Sequence, residues 1–320
     1  MMDRLALGER LRALPRPEGR TARLTLGTLA AIVVLALLYY PIGMLMVHRI
    51  DDDTTMIADA PQGGSEAVAM TVRLIERETR DHPWTPMAPF FMPSAALDNM
   101  PNFQTGIRDA LSRFTIELTD QIGRVRGSSA ADSDLEAATG FLKYAPDVWY
   151  YNVSESLLPQ RSSAEQYRNA AKALRAYNLR LSEGNAVFER RADNLLATLD
   201  RFSADLGSAS AAIGDALEEY SAFSIYADDV FYHNKGRLYG YYMLLTSLQA
   251  DFQNIIAEKE VASLWAQMLA SLNAAATMDP LIVINGSPDG LILPSHLSAQ
   301  GFYLLRSRTQ LKEIINVLLK

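Results

Sequence analysis

The sequence has 320 residues, of which 49% are hydrophobic and 21% charged, a composition typical of folded proteins and not of disordered ones. The formal net charge is -7, but the first 50 residues contain seven Arg against three acidic residues, so the rest of the chain carries the whole acidic excess. An acidic domain repels a phosphate backbone, so no nucleic-acid partner is expected, and the absence of cysteine excludes disulfides, thiol nucleophiles and Cys-ligated zinc.

An uncharged stretch near the N-terminus is long enough to cross a bilayer. It begins at Leu24, ends at Val47 and, at about 1.5 Å per residue, would be roughly 36 Å long as a helix, against about 30 Å for a hydrocarbon core. This length exceeds the roughly 7–15 apolar residues of a signal peptide, and no small-residue cleavage site follows. We therefore predict a transmembrane helix inserted in the lipid bilayer; a cleaved signal peptide is the alternative.

The distribution of arginine predicts the orientation of this helix. Six Arg precede the stretch and one, Arg49, follows it, and basic residues stay on the cytoplasmic side. The N-terminus is therefore predicted to be cytoplasmic and the large domain extracytoplasmic. The linker after the span contains the acidic residues 51–53, which we interpret as a solvated run. The resulting basic tail, transmembrane span, linker and domain comprise residues 1–23, 24–47, 48–64 and 65–320.

Most of the domain shows the three- and four-residue spacing of apolar side chains that is typical of amphipathic helices. Ser162, with Glu165 three positions later, forms a capping box that begins one helix, which Gly184 ends. The longest pattern, between Phe188 and Tyr220, extends over more than four heptads and predicts a helix of order 50 Å that packs lengthwise in a bundle. Other helices are predicted at residues 65–79, 104–126, 134–144, 235–275 and 297–319.

Residues 81–101 are predicted to be extended, because five prolines prevent a regular helix. Trp84, Phe90 and Phe91 are too apolar for a solvated loop, so this strap must be buried against another surface. The core of the domain is the expected surface, and a protein partner or the bilayer is the alternative. Trp84, Phe90 and Phe91 are for this reason candidate partner-binding residues.

The only credible strands lie at residues 281–284 and 291–293. They flank residues 285–290 (NGSPDG), whose Asn-Gly and Pro-Asp-Gly steps are typical of a turn, and together they predict one small β-hairpin. The predicted fold class is mainly α: an N-terminal transmembrane helix followed by an extracytoplasmic bundle of long helices with one small β-hairpin.

Asp228, Asp229 and His233 form the best candidate for a ligand or partner site. If this stretch is helical, Asp229 and His233 lie on one face and can bind a cation or position a proton. In the competing, structural interpretation one Asp caps the following helix or pairs with Lys235 or Arg237, and His233 is a polar surface residue. No zinc-protease spacing, phosphate loop or nucleophile elbow is present, so no catalytic residue, cofactor or metal is predicted.

Several short motifs occur in a distinctive order along the chain. They are residues 97–102 (LDNMPN), residues 192–195 (ADNL), residues 228–232 (DDVFY) with Gly236, and residues 285–287 (NGS) with His296. In this order, and behind an N-terminal anchor, they resemble the bacterial domain-of-unknown-function family 2333. The resemblance covers nearly the whole chain. It implies a membrane protein of Gram-negative bacteria without an established activity.

Two classes of function remain, and they predict different surfaces. A non-catalytic scaffold or adaptor of the cell envelope exposes an apolar or aromatic patch to a protein partner or to a second copy of the chain, and has no deep pocket. A periplasmic ligand- or metal-binding domain, enzymes included, has a concave cavity with convergent polar groups such as Asp228, Asp229 and His233. Because no catalytic motif is recognisable, we predict an inner-membrane scaffold or adaptor that is not an enzyme.

Overall fold

A computed structural model describes residues 19–123, 131–151, 158–218, 224–286 and 294–320, which belong to two compact units, Met1–Met46 and Val47–Lys320. The described residues are mostly helical, as predicted, and contain ten α-helices. In chain order these are α1 (Arg20–Val47), α2 (Glu66–Glu76), α3 (Asn99–Glu117), α4 (Ser133–Leu142), α5 (Ser163–Ser182), α6 (Ala192–Glu218), α7 (Ile225–Asp251), α8 (Gln253–Glu258), α9 (Ala262–Ala276) and α10 (His296–Leu318).

The first unit contains α1. Its stretch Arg23–Val47 has 25 residues and a mean hydropathy of 2.3, and none of its most apolar window is buried. Helix α1 is therefore long enough and apolar enough to cross a membrane, as the sequence predicts. A signal sequence near an N-terminus shares these two properties.

Most predicted helices of the second unit are present, but the single helix predicted at residues 235–275 is divided into α7, α8 and α9. The chain leaves the helical conformation between α8 and α9, where Glu260 has a φ of +55°. The hydroxyl of Ser162 caps α5 by accepting a hydrogen bond from the N–H of Glu165, and Gly184, just beyond this helix, has a φ of +75°. Helix α3 begins at Asn99, before the residue 104 that periodicity predicts. This early start is possible because Pro101 lies in the first turn, where its missing N–H removes no helical hydrogen bond.

The longest heptad pattern forms α6, which is continuous from Ala192 to Glu218 although it contains Gly207. A Cβ at Gly207 would lie 2.7 Å from a guanidinium nitrogen of Arg308 on α10, so the glycine makes room for that side chain. The predicted apolar face is buried and consists of Leu195, Leu199, Phe202, Leu206, Ala209, Ile213 and Ala216. Periodicity therefore identifies the buried face of α6 correctly.

The predicted β-hairpin is not supported by the described residues. Residues 281–284 form no strand, and the described part of the chain contains only an isolated antiparallel bridge between Asn285 and Ser295. The predicted second strand, residues 291–293, lies outside the described residues. On the Ile284 side of this bridge no ladder continues, because α10 begins at His296, directly after Ser295, and a strand requires a partner that continues alongside it.

Two glycines allow α3 and α7 to approach each other closely. A Cβ at Gly236 of α7 would overlap the carbonyl oxygen of Phe103, and a Cβ at Gly106 of α3 would overlap the carbonyl oxygen of His233. Only a residue without a side chain fits at such a contact between two backbones. The contact brings α3 against the first turns of α7, where the candidate polar residues lie.

Candidate functional site

Asp228, Asp229 and His233 lie near the start of α7, so the helical arrangement considered from the sequence is present. The helix is capped by Ser224, whose hydroxyl accepts a hydrogen bond from the N–H of Ala227 at 3.3 Å. The prediction that Asp228 or Asp229 caps the helix is therefore wrong. Both carboxylates instead contact residues at the start of α3.

His233 contacts α3 through Asp109: its Nε2 lies 3.0 Å from Oδ2 of that carboxylate. Arg108 and Arg237 lie 3.2 and 3.6 Å from the same side chain. Burial raises the pKa of Asp109, but the hydrogen bond from His233 and the charges of Arg108 and Arg237 outweigh burial and hold the pKa below its usual value. His233, whose side chain is 29% exposed, is thus a partly exposed polar residue that also joins a hydrogen-bond network between two helices.

Asp229 and His233 lie on one face of α7, one turn apart, but they bind different partners. Asp229 accepts a hydrogen bond from the side-chain amide of Asn102 at 2.7 Å. Lys235 and Arg237, the partners predicted for the two Asp residues, form ion pairs with other carboxylates. In the described part of the chain, no group of three or more His, Asp or Glu side chains is arranged to hold a metal ion.

A cleft of about 330 Å³ opens beside Asp228, between the starts of α3 and α7 and residues 281–283. Burial, together with the negative charges of Asp98 and Asp229, raises the pKa of Asp228 to about 6. When the amide of Asn99 is oriented with its nitrogen toward these carboxylates, it donates to Asp98 at 3.0 Å and to Asp228 at 2.6 Å. Burial and the two negative charges favour the protonated form of Asp228, whereas the hydrogen bond from Asn99 favours its charged form.

The proline-rich strap divides into a buried and an exposed part. Trp84 is only 4% exposed; its indole N–H donates to the carbonyl oxygen of Pro146 at 2.7 Å, and its ring packs edge-on against Tyr167 with centroids 4.9 Å apart. Phe90, by contrast, is 84% exposed and Phe91 is 45% exposed. The core of the domain therefore accommodates Trp84, as expected, but leaves Phe90 and Phe91 at the surface.

Phe90 and Phe91 belong to a group of five aromatic side chains, which we call the aromatic surface: Phe90, Phe91, Trp149, Tyr150 and Tyr151. Ring centroids are 5.6 Å apart for Phe90 and Phe91 and 5.3 Å apart for Phe91 and Trp149. The ring of Trp149 also lies 6.4 Å from Tyr150 and 5.7 Å from Tyr151. All of these contacts are edge-to-face, the arrangement that aromatic pairs prefer.

Motifs and helical periodicity do not single out Trp149, Tyr150 and Tyr151, which lie in the connector after α4. The feature of the sequence that could have identified them is the run of three large aromatic residues in a connector between two helices. Such side chains are normally buried, so their occurrence in a connector is unusual. Its pairing with the strap cannot be inferred from the sequence. The aromatic surface exists because two segments about 60 residues apart in the sequence meet through Phe91 and Trp149.

A comparison with protein families gives one match over most of the chain. A family model described as an uncharacterized protein conserved in bacteria (DUF2333) matches residues 87–225 and 223–320. The matched range contains the aromatic surface, Asp228, Asp229 and His233. Neither the curated proteins nor the solved structures include a match.

Proposed function

This chain belongs to the bacterial domain-of-unknown-function family 2333, and from this premise we propose that it is a single-pass inner-membrane protein. We further propose that its periplasmic helical bundle is a non-catalytic scaffold or adaptor of the cell envelope. In this proposal α1 spans the membrane, residues 1–23 are a cytoplasmic tail and residues 65–320 are periplasmic. The hydropathy of α1 supports the span. The six Arg before it, against one after it, support the orientation.

The observation that carries the proposal is the aromatic surface. Single exposed apolar residues are common on soluble proteins, whereas a contiguous exposed group marks an interaction site. Aromatic side chains are enriched at the centres of protein interfaces, because they provide a large contact area and lose little conformational entropy on binding. The edge-to-face contacts among the five rings restrict their motion before a partner binds, which lowers the entropic cost of association further.

The contacts of the polar candidates support a non-catalytic role. His233 is engaged with Asp109, and Asp229 with Asn102, so each has a partner within the fold. A general base must reach a proton of its substrate at hydrogen-bond distance. Contacts between helices that already occupy these side chains favour a structural role for both.

Asp228 favours a second candidate function, a periplasmic ligand-binding or enzymatic domain. It borders a cleft and has a pKa raised to about 6, and a carboxyl group with such a perturbed pKa in a cleft is often functional. The charged neighbours that raise this pKa, Asp98 and Asp229, are both negative, so the cleft suits a ligand with a positive group.

Photo-crosslinking in intact cells tests the scaffold proposal. A photoreactive phenylalanine analogue is placed at Phe90, and at Phe302 on α10 as a matched control, since both are exposed phenylalanines on the second unit. We expect irradiation to yield a protein adduct of discrete mass from position 90 that is absent from position 302. Identical adducts at both positions, or lipid adducts alone at position 90, would contradict a protein-binding aromatic surface.

A further inference from the structure

The segment after α1, residues 48–64, contains the acidic residues 51–53, which the sequence suggests are solvated. In the structure they contact the domain, and Asp52 lies 2.8 Å from Nζ of Lys235, whose side chain is fully buried. The same ammonium group donates to the carbonyl oxygen of Met278 at 2.7 Å. A further carboxylate, Asp279, is 3.9 Å away and largely exposed. Burial of a charge costs free energy unless an opposite charge lies close to it. Asp52 therefore neutralises the buried ammonium group of Lys235 on α7.

A second buried cation, Arg77, forms an ion pair with Asp51. The guanidinium of Arg77, in the turn after α2, lies 3.4 Å from this carboxylate and also pairs with Glu78 at 2.6 Å. Nε2 of His82 is 3.1 Å from the other oxygen of Asp51. Burial raises the pKa of Asp51, but Arg77 and His82 outweigh burial and lower it. The charged form of Asp51 is therefore the one that the domain stabilises.

A third contact involves the backbone of the segment. The hydroxyl of Tyr239 donates to the carbonyl oxygen of Asp53 at 2.7 Å and accepts a hydrogen bond from Arg77 at 2.8 Å. Further along, Ala58 is only 7% exposed, whereas the preceding Ile57 is 84% exposed. The docked stretch therefore continues as far as Ala58.

The segment is attached without regular secondary structure. Residues 48–64 contain no helix or strand, and side chains of α7 and of the turn after α2 provide the contacts described above. It can therefore leave the domain without the unwinding of any helix. Its release is opposed by the cost of leaving Lys235 and Arg77 with fewer compensating charges. It is also opposed by the loss of the apolar contacts that Ile50, Met56, Ala58 and Ala60 make with the core.

We propose that residues 48–58 form a clasp with two states. In the closed state, which the structure shows, these residues are docked on the domain. In the open state they are released, and the whole of residues 48–64 becomes a flexible tether. Fully extended, this tether would span roughly 55–60 Å. Release of the clasp thus lengthens the flexible connection between the domain and the proposed membrane anchor. This consequence, unlike the clasp itself, rests on the proposed membrane anchor.

Cysteine labelling of the full-length protein in detergent tests the clasp, because the chain has no cysteine of its own. The substitution Ala58→Cys reports the closed state, Ile57→Cys is the exposed reference and Leu199→Cys, in the core, reports unfolding of the domain. We expect Asp52→Ala to increase the rate of maleimide labelling at position 58 by at least about tenfold, since a charged hydrogen bond is lost. Position 199 remains protected.

Two further variants complete the test. Asp59→Ala removes an exposed carboxylate from the same segment and leaves position 58 protected. Lys235→Met removes the buried cation, so Asp52 has no partner in the closed state and position 58 becomes exposed. The clasp is refuted if position 58 stays protected in both Asp52→Ala and Lys235→Met, or if position 199 becomes labelled in parallel. Labelling does not depend on a bound partner, so a negative result leaves the scaffold proposal standing.

Discussion

Nε2 of His233 lies 3.0 Å from Oδ2 of Asp109, across the contact between α3 and α7 that two glycines make possible. The two residues are far apart in the sequence, and the approach of the two helices brings them together. Because Arg108 and Arg237 surround the same carboxylate, the pair is part of a network that ties α3 to α7. Its first consequence is a dependence of stability on pH.

Asp109→Asn should destabilise the protein at neutral pH by about 1–2 kcal/mol, because it weakens charged hydrogen bonds. The pKa of Asp109 is lowered in the folded state, so its stabilisation is present above the unfolded pKa and is lost as pH falls through the folded pKa. Thermal melting of the full-length protein should therefore show a difference from wild type that shrinks below about pH 4. Asp200→Asn, on the exposed side of α6, serves as the control. A difference that is independent of pH would contradict the charged role of Asp109.

Asp228→Asn should instead stabilise the protein. The pKa of Asp228 is raised to about 6 in the folded state, so its charge destabilises the fold as pH rises from the unfolded pKa through this value. After allowance for solvent screening at this half-buried group, we expect a gain of about 1 kcal/mol at pH 7 and none below about pH 4. Melting curves over this range measure it; a loss of stability at pH 7 would show that the hydrogen bond from Asn99 outweighs the cost of burying the charge.

Function should depend on the aromatic surface and not on His233. The double substitution Phe90→Ser and Phe91→Ser changes exposed side chains, so it should leave the melting temperature almost unchanged but fail to complement a deletion strain. Phe302→Ser is the matched control and should complement. His233→Ala, if present at a normal level, should complement as well; its failure would favour the ligand-binding or enzymatic alternative.

Gly236→Ala should be strongly destabilising, because the new methyl group overlaps the carbonyl oxygen of Phe103 and neither backbone can move without separating α3 from α7. The cost should exceed the roughly 1–3 kcal/mol of ordinary overpacking. Gly140→Ala in α4 is the control: its Cβ meets no atom within 4 Å, so the substitution should stabilise the helix by up to about 1 kcal/mol. Equal melting temperatures for the two variants would contradict the close approach of α3 and α7.

The topology makes a prediction for fusion proteins. A reporter that is active only in the periplasm, fused after Lys320, should be active, and a reporter that is active only in the cytoplasm should not. The opposite pattern would reverse the orientation of α1. Detection of the mature chain without residues 24–47 would instead identify the stretch as a cleaved signal peptide.

The sequence by itself determined most of the helices and the apolar span, although not the division of residues 235–275 into three helices. Amphipathic spacing, the Ser162 cap and the stop at Gly184 depend on residues within a few positions of one another, and the structure confirms them. The buried face of α6 was predictable for the same reason, since a heptad pattern marks one side of a helix wherever that helix packs. Errors arose where local signals are weak, as at residues 281–284, because a strand depends on a partner that periodicity does not supply.

Only the tertiary structure decided which charged and aromatic residues are docked and which are exposed. Asp52 meets Lys235, and Phe91 meets Trp149, across separations that no local pattern encodes. A run of aspartates has the same local sequence signature whether it is solvated or compensates a buried lysine. The difference is decided by the cost of burying a charge, which depends on the three-dimensional packing of segments distant in the chain and not on the neighbours of a residue in the sequence.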